Sequence, residues 1–109
     1  MVTFSDFEQL DIRAGTIIDV QEFPEARKSS WKLWIDFGEL GIKKTSAQLT
    51  KLYGKEDLKE MQVIAVVNFP PRQIGAFISE VLVLGVYGND DEVILLLPER
   101  KVMNGGKIG

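Results

Sequence analysis

Hydrophobic positions recur along this chain first at helical spacing and then at strand spacing. Phe4, Phe7 and Leu10 are three residues apart, and Thr3 stands three residues ahead of Asp6, so Thr3 to Leu10 predicts a short capped helix. From Ile12 to Val20 the period changes to two, with residues 12, 14, 16, 18 and 20 expected on one mostly apolar face of a half-buried strand. Phe23 to Ser30 reads as a loop from its proline and polar tail. Trp31, Leu33, Ile35 and Phe37 then alternate with Lys32, Trp34 and Asp36 in a second strand. Gly38 to Gly41 turns the chain, and Ile42 to Ala47 returns as a third strand. Gln48 to Leu58 is expected to be a helical or irregular connection. Val63 to Val67, Val81 to Leu84 and Val93 to Leu97 are three further strands, apolar on both faces. The segment from Asn68 to Ile78, with two prolines and aromatics expected to be exposed, is read as a loop.

Five or six strands with a short central helix predict an all-β chain, a five-stranded barrel of the OB-fold type extended by its terminal segments, with a β-sandwich as the alternative. The 109 residues suit one domain. We expect residues 1–7 to form an N-terminal helical arm and residues 8–109 the barrel domain. The outer face of a small barrel normally alternates to polar residues, so strands apolar on both sides need cover. The terminal segments supply part of it, and a second copy of the chain is expected to supply the rest, because large apolar patches are rare on monomers.

Composition narrows the chemistry. The chain has no histidine and no cysteine, which removes imidazole bases, thiolate nucleophiles and zinc or iron sites built on them. Asp36-Phe37-Gly38 matches a kinase metal-binding triplet without the length or the glycine-rich loop a kinase requires. Lys43-Lys44-Thr45 lacks the glycines of a phosphate loop, and Asp90-Asp91-Glu92 follows Gly88-Asn89 as a solvated turn would. We therefore expect no catalysis, no metal and no cofactor. No apolar run approaches the roughly 18 residues that span a bilayer, and the N-terminus lacks the features of a signal peptide. A cytoplasmic protein without membrane insertion is the expectation.

Several ordered blocks resemble the tRNA-binding domain found in some methionyl-tRNA synthetases, in the phenylalanyl-tRNA synthetase β subunit and in free-standing homologues. They are Asp11-Ile12-Arg13-Ala14-Gly15-Thr16-Ile17, then Pro24-Glu25-Ala26 with Leu33 and Asp36-Phe37-Gly38, then Asn68-Phe69-Pro70-Pro71-Arg72, and finally Ser79-Glu80. The runs Lys44 to Thr50, Val66 to Arg72 and Ser79 to Gly85 resemble the forms these blocks take in the CsaA type, an export-associated chaperone branch of that family. The resemblance implies an OB-fold homodimer that binds unfolded or precursor polypeptides. Two departures weigh against tRNA binding: Ser79-Glu80-Val81-Leu82 replaces the family's Ser-Glu-Gly-Met, and Phe23-Pro24 replaces its His-Pro.

Two surfaces are candidates. The chain is acidic, with net charge −3, yet Arg27, Lys28, Lys32, Lys43 and Lys44 face only Asp36 and Glu39 in the same stretch. Lys32, Trp34, Lys43 and Lys44, joined by Asn68, Arg72, Ser79 and Glu80 of the family blocks, are the candidate RNA contacts, with Trp34 placed to stack a base. Phe69, Ile74, Phe77 and Ile78 are the candidate peptide contacts, a semi-rigid apolar edge for an extended chain. The expected partners are a second copy of the chain, unfolded or precursor polypeptides, and tRNA as the alternative ligand.

Overall fold

A computed structural model describes all 109 residues, and its centre is a five-stranded antiparallel sheet in the order β3-β2-β1-β4-β7. The strands are β1 (Ile12–Glu22), β2 (Trp31–Asp36), β3 (Ile42–Ala47), β4 (Gln62–Val66) and β7 (Leu82–Val83). Two hairpins flank it, β5 (Arg72–Ile74) with β6 (Phe77–Ser79) and β8 (Gly85–Tyr87) with β9 (Val93–Leu95). The helices are short: α1 (Phe4–Glu8) and α2 (Lys55–Leu58). The sheet curls into a nearly closed barrel of the OB type, as the strand pattern predicts.

Local sequence explains each element. The hydroxyl of Thr3 accepts the Asp6 amide, and the Asp6 carboxylate accepts the Thr3 amide, giving α1 its capping box. In β2 the alternation holds, with Leu33, Ile35 and Phe37 fully buried and Lys32, Trp34 and Asp36 on the other face. In β1 it does not hold throughout. Thr16 and Ile17 oppose Asp36 and Ile35, but the next pair is Asp19 with Trp34, so Ile18 is an extra residue, a β-bulge. The bulge re-aims the strand: Ile17 and Val20 enter the core while Ile18 is turned outward. The expected single face 12, 14, 16, 18, 20 is thereby corrected.

The core gathers Ile17, Val20, Leu33, Ile35, Phe37, Leu49, Leu58, Val63, Ala65, Val81 and Leu95. Gly15 lies in the tightest place of the wall, where an added Cβ would stand 2.7 Å from the Phe37 ring and 2.8 Å from Ile35 Cγ2. Residues 105–108 run along the first half of β1: Ala14 exchanges backbone bonds with Gly105 and Gly106, and the Ile108 amide donates to the Ile12 carbonyl. Upstream, Gln62 holds Val102 through both its amide atoms, and Thr16 donates to Asn104 Oδ1 at 2.6 Å. The C-terminal strap is thus part of the wall, as the expected cover by terminal segments required.

The expected loop from Asn68 to Ile78 is instead largely the β5–β6 hairpin, with Ile74 opposite Phe77 across a Gly75-Ala76 turn. Gly75 has φ +62° and Ala76 does not, the dihedral pattern of a type II′ turn, which needs glycine at its first central position. The β8 strand was likewise not foreseen. Asp90-Asp91-Glu92 is the turn expected of it, with the Gly88 amide donating to the Glu92 carbonyl.

Candidate binding surfaces

The register of β2 and β3 decides which basic residues act together. Trp34 opposes Lys44 and Lys32 opposes Ser46, so Lys32, Trp34 and Lys44 share the outer face. Lys43 opposes Ile35 and stands on the other face, which corrects its grouping with Lys32 and Lys44.

The β5–β6 hairpin folds onto that outer face. Phe77 is only 8% exposed, packed edge-on against Phe23 (centroids 5.4 Å apart) and Trp34 (6.1 Å). The Lys32 ammonium lies over Phe23 at 4.8 Å and Phe77 at 5.3 Å, and the Lys44 ammonium over Phe77 at 5.3 Å. Phe77 is therefore not the exposed edge the sequence suggested; it pins the hairpin to the barrel. Ile74 and Ile78 are half-buried beside it, and only Phe69, 44% exposed, stands out as an apolar contact. Above this cluster a pocket of about 320 Å³ is lined by Phe23, Glu25, Lys32, Ile74 and Phe77 with Gly75 and Ala76. Glu25 stands 4.0 Å from Lys32 and offsets part of its charge.

The family-block residues mostly brace the fold. Asn68 accepts the Asp11 amide (2.9 Å) and donates to the Gln9 carbonyl (2.8 Å), tying α1 and the start of β1 to the end of β4. The Lys44 amide donates to Glu80 Oε1 at 3.0 Å, and the Glu80 amide returns a bond to the Lys44 carbonyl at 2.8 Å. Beside them the buried Thr45 hydroxyl donates to the Val81 carbonyl (2.7 Å), with Ser79 Oγ 2.9 Å away. Ser79 and Glu80 are thus a clasp joining β3 to the chain ahead of β7, and Asn68, Ser79 and Glu80 each hydrogen-bond within the chain. Arg72 is exposed on β5, opposite Ser79.

Beside the clasp the surface between β3 and the chain around β7 is concave. A groove of about 1070 Å³ opens there, walled by Ser46 to Leu49 on one side and Val83 to Gly85 on the other. Arg27, Lys28, Phe69 and Arg72 stand on its rim. Sequence reasoning missed this groove because neither wall is unusual in composition. A further apolar surface, which shares Leu82 with the groove, lies on and beside the β8–β9 hairpin. Val86 (55% exposed) pairs with Ile94 (46%), and Leu82, Leu96 and Leu97 are also exposed.

Residues 12–107 match a family model described as "Putative tRNA binding domain". The chain is 51% identical to the chaperone CsaA from Bacillus anthracis, over 100% of this chain and 99% of that one, with a TM-score of 0.95. It is 50% identical to the CsaA chaperone protein from Picrophilus torridus, over the full length of both, again with a TM-score of 0.95. It is also 34% identical over 107 residues to the methionine–tRNA ligase of Thermococcus onnurineus. That alignment takes in 98% of this chain but only 14% of the ligase.

Proposed function

The chain belongs to the tRNA-binding-domain family, in its CsaA type, and from that premise we propose that it is a homodimeric, ATP-independent chaperone for unfolded or precursor polypeptides. The observation that carries this reading is the pairing of a long groove with a chain half identical, end to end, to two proteins named as chaperones. The reading is of a cytoplasmic protein serving export; no helix here is long and apolar enough to cross a membrane.

Dimerisation rests on the β8–β9 face. Val86 and Ile94 form a cross-strand pair turned away from the core, and Leu82, Leu96 and Leu97 extend the apolar surface beside them. Burial of such residues yields roughly 25 cal/mol per Å² and favours a second copy of the same surface, related by a two-fold axis. Two grooves on one dimer would hold a client chain at two points and gain from effective concentration.

The mechanism needs no bond-making step. An unfolded chain loses water from its apolar side chains in the groove and is released when it folds and buries them itself. Phe69 supplies an exposed aromatic contact at the rim, while Ile74 and Ile78 offer partly buried apolar area. The test is suppression of aggregation of a reduced, unfolded client by the purified protein without nucleotide. Undiminished aggregation at molar excess contradicts the reading.

One arrangement favours a second reading, tRNA binding in trans. Lys32, Trp34 and Lys44 share one barrel face, with Arg72 exposed on the adjoining hairpin, and basic groups beside an aromatic are the usual requirements for nucleic-acid contact. The net charge of −3 and the engagement of both lysines over Phe77 make it the weaker one.

A further inference from the structure

The strap from residue 101 to residue 109 has no buried residue, so hydrogen bonds and not apolar burial hold it on the barrel. Those bonds converge on Asn104 and Gly105. The Gly105 amide donates to the Ala14 carbonyl at 2.7 Å, and Arg13 Nη1 donates to the Gly105 carbonyl at 3.0 Å. Asn104 Oδ1 accepts from Thr16 Oγ1 at 2.6 Å and from Gln62 Nε2 at 3.2 Å. Gly105 has φ +89° and lies so close to the Phe37 carbonyl that no side chain fits there. The same pair of residues carries a chemical reactivity. The side-chain amide of an asparagine is open to attack by the next backbone nitrogen, most of all when a glycine follows, because glycine has no Cβ to shield that nitrogen or to restrict its approach. Of the three asparagines in the chain, Asn104 alone precedes a glycine; Asn68 precedes Phe69 and Asn89 precedes Asp90.

We propose that Asn104 is a deamidation site which the paired strap protects, and that its isoaspartyl product keeps the strap off the barrel. Hydroxide takes the Gly105 amide proton, and the nitrogen attacks Asn104 Cγ. The new Cγ–N bond forms, the Cγ–Nδ2 bond breaks, and Nδ2 leaves as ammonia with a proton from water. Water then opens the five-membered imide at either carbonyl, giving aspartate or isoaspartate, with no change of oxidation state. In the paired strap the attacking nitrogen is tied through its hydrogen to Ala14, and the amide it must reach is held by Thr16 and Gln62. Reaction therefore waits for local opening, which a segment without buried side chains undergoes more readily than the core strands. The two products differ in consequence. Both hydrogen bonds to the Asn104 side chain are accepted by Oδ1, so an aspartate carboxylate takes them over. Isoaspartate routes the main chain through Cβ and Cγ and lengthens it by one atom, so Ala14 no longer meets both Gly105 and Gly106. The freed edge of β1 at Ile12 and Ala14 is then open to pairing with another strand.

The full-length protein is incubated in warm, mildly alkaline buffer, folded and in urea, and conversion at each asparagine is followed by peptide mapping with mass spectrometry. Asn104 should convert at least about tenfold more slowly in the folded protein than in urea, as expected for reaction through an open minority state. Gln62→Ala removes both bonds to Val102 and one to Asn104. It should raise the folded rate toward the urea value while amide exchange in β2 stays slow. Where that variant fails to fold, Arg13→Ala, which frees only the Gly105 carbonyl and Asp11, takes its place. The purified isoaspartyl form should lose slow exchange at the Ala14 and Ile108 amides, and Asn104→Asp should keep it. Equal rates in the folded protein and in urea, or no acceleration in the folded strap variant, overturn protection by the strap. An isoaspartyl form that retains slow exchange at Ala14 and Ile108 overturns the release.

Discussion

Replacing Phe77 with Ala should lower the stability of the domain. The ring is 8% exposed and meets two aromatic rings at 5.4 and 6.1 Å and two ammonium groups at 5.3 Å each. A buried Phe to Ala change costs about 3–5 kcal/mol. The lower end applies here, because the cluster sits on the outer barrel face outside the main core and water can fill part of the space. Each aromatic pair contributes roughly 0.5–1.5 kcal/mol of that figure and each lysine contact about 0.5–1 kcal/mol. A loss of about 3 kcal/mol lowers the melting temperature of a domain this size by roughly 10–20 °C. Thermal melts followed by circular dichroism, with urea titrations at constant slope, check it. Phe69→Ala is the control: its side chain is 44% exposed and its loss should shift the midpoint by no more than about 0.5 kcal/mol. A Phe77→Ala protein that melts with the wild type refutes the view that Phe77 anchors the hairpin and restores the residue as a free peptide contact.

Further outcomes follow from the same geometry. Gly15→Ala should destabilise by about 1–3 kcal/mol, read as a lower urea midpoint, because its Cβ would stand 2.7 Å from Phe37. Val86→Lys combined with Ile94→Glu should convert a sedimenting species of about twice the 12.2 kDa chain mass into one of single mass; a wild-type monomer at micromolar concentration contradicts the dimer. If the basic face binds tRNA, Lys32→Ala with Lys44→Ala should flatten the log–log salt dependence by about 0.7–0.9 per contact. Lys43→Ala should leave it nearly unchanged, since Lys43 is on the other face.

The alternation of β2 was legible because Trp31, Leu33 and Ile35 make one of its faces wholly apolar, whereas β3 has a lysine on each face and its facing was not; the barrel followed from the number and spacing of the strands. The bulge in β1 was not, since Ile17 and Ile18 are both apolar and sequence alone does not say which of them enters the core. Two prolines and strands of three residues concealed the β5–β6 hairpin, although Ile74-Gly75-Ala76-Phe77 carries a readable signal in a glycine-led pair between two apolar residues. That missed turn also misplaced Phe77, because a loop exposes what a hairpin folds down. The family blocks pointed to Asn68, Ser79 and Glu80 as residues that matter, but their partners (Asp11, Gln9, Thr45 and Lys44) lie tens of residues away in the chain. The groove was invisible for the same reason: the segments that line it, on β3 and around β7, lie far apart in sequence.

The claim that this protein holds polypeptides by apolar contact is tested most directly by one salt titration. The affinity of the purified protein for a permanently unfolded polypeptide and for bulk tRNA is measured on the same sample from low to physiological ionic strength and beyond. Apolar burial is only weakly screened, so the polypeptide affinity should change by no more than about twofold, while any tRNA affinity should fall steeply. Retention of tRNA at physiological salt with no binding of the unfolded polypeptide would contradict the account.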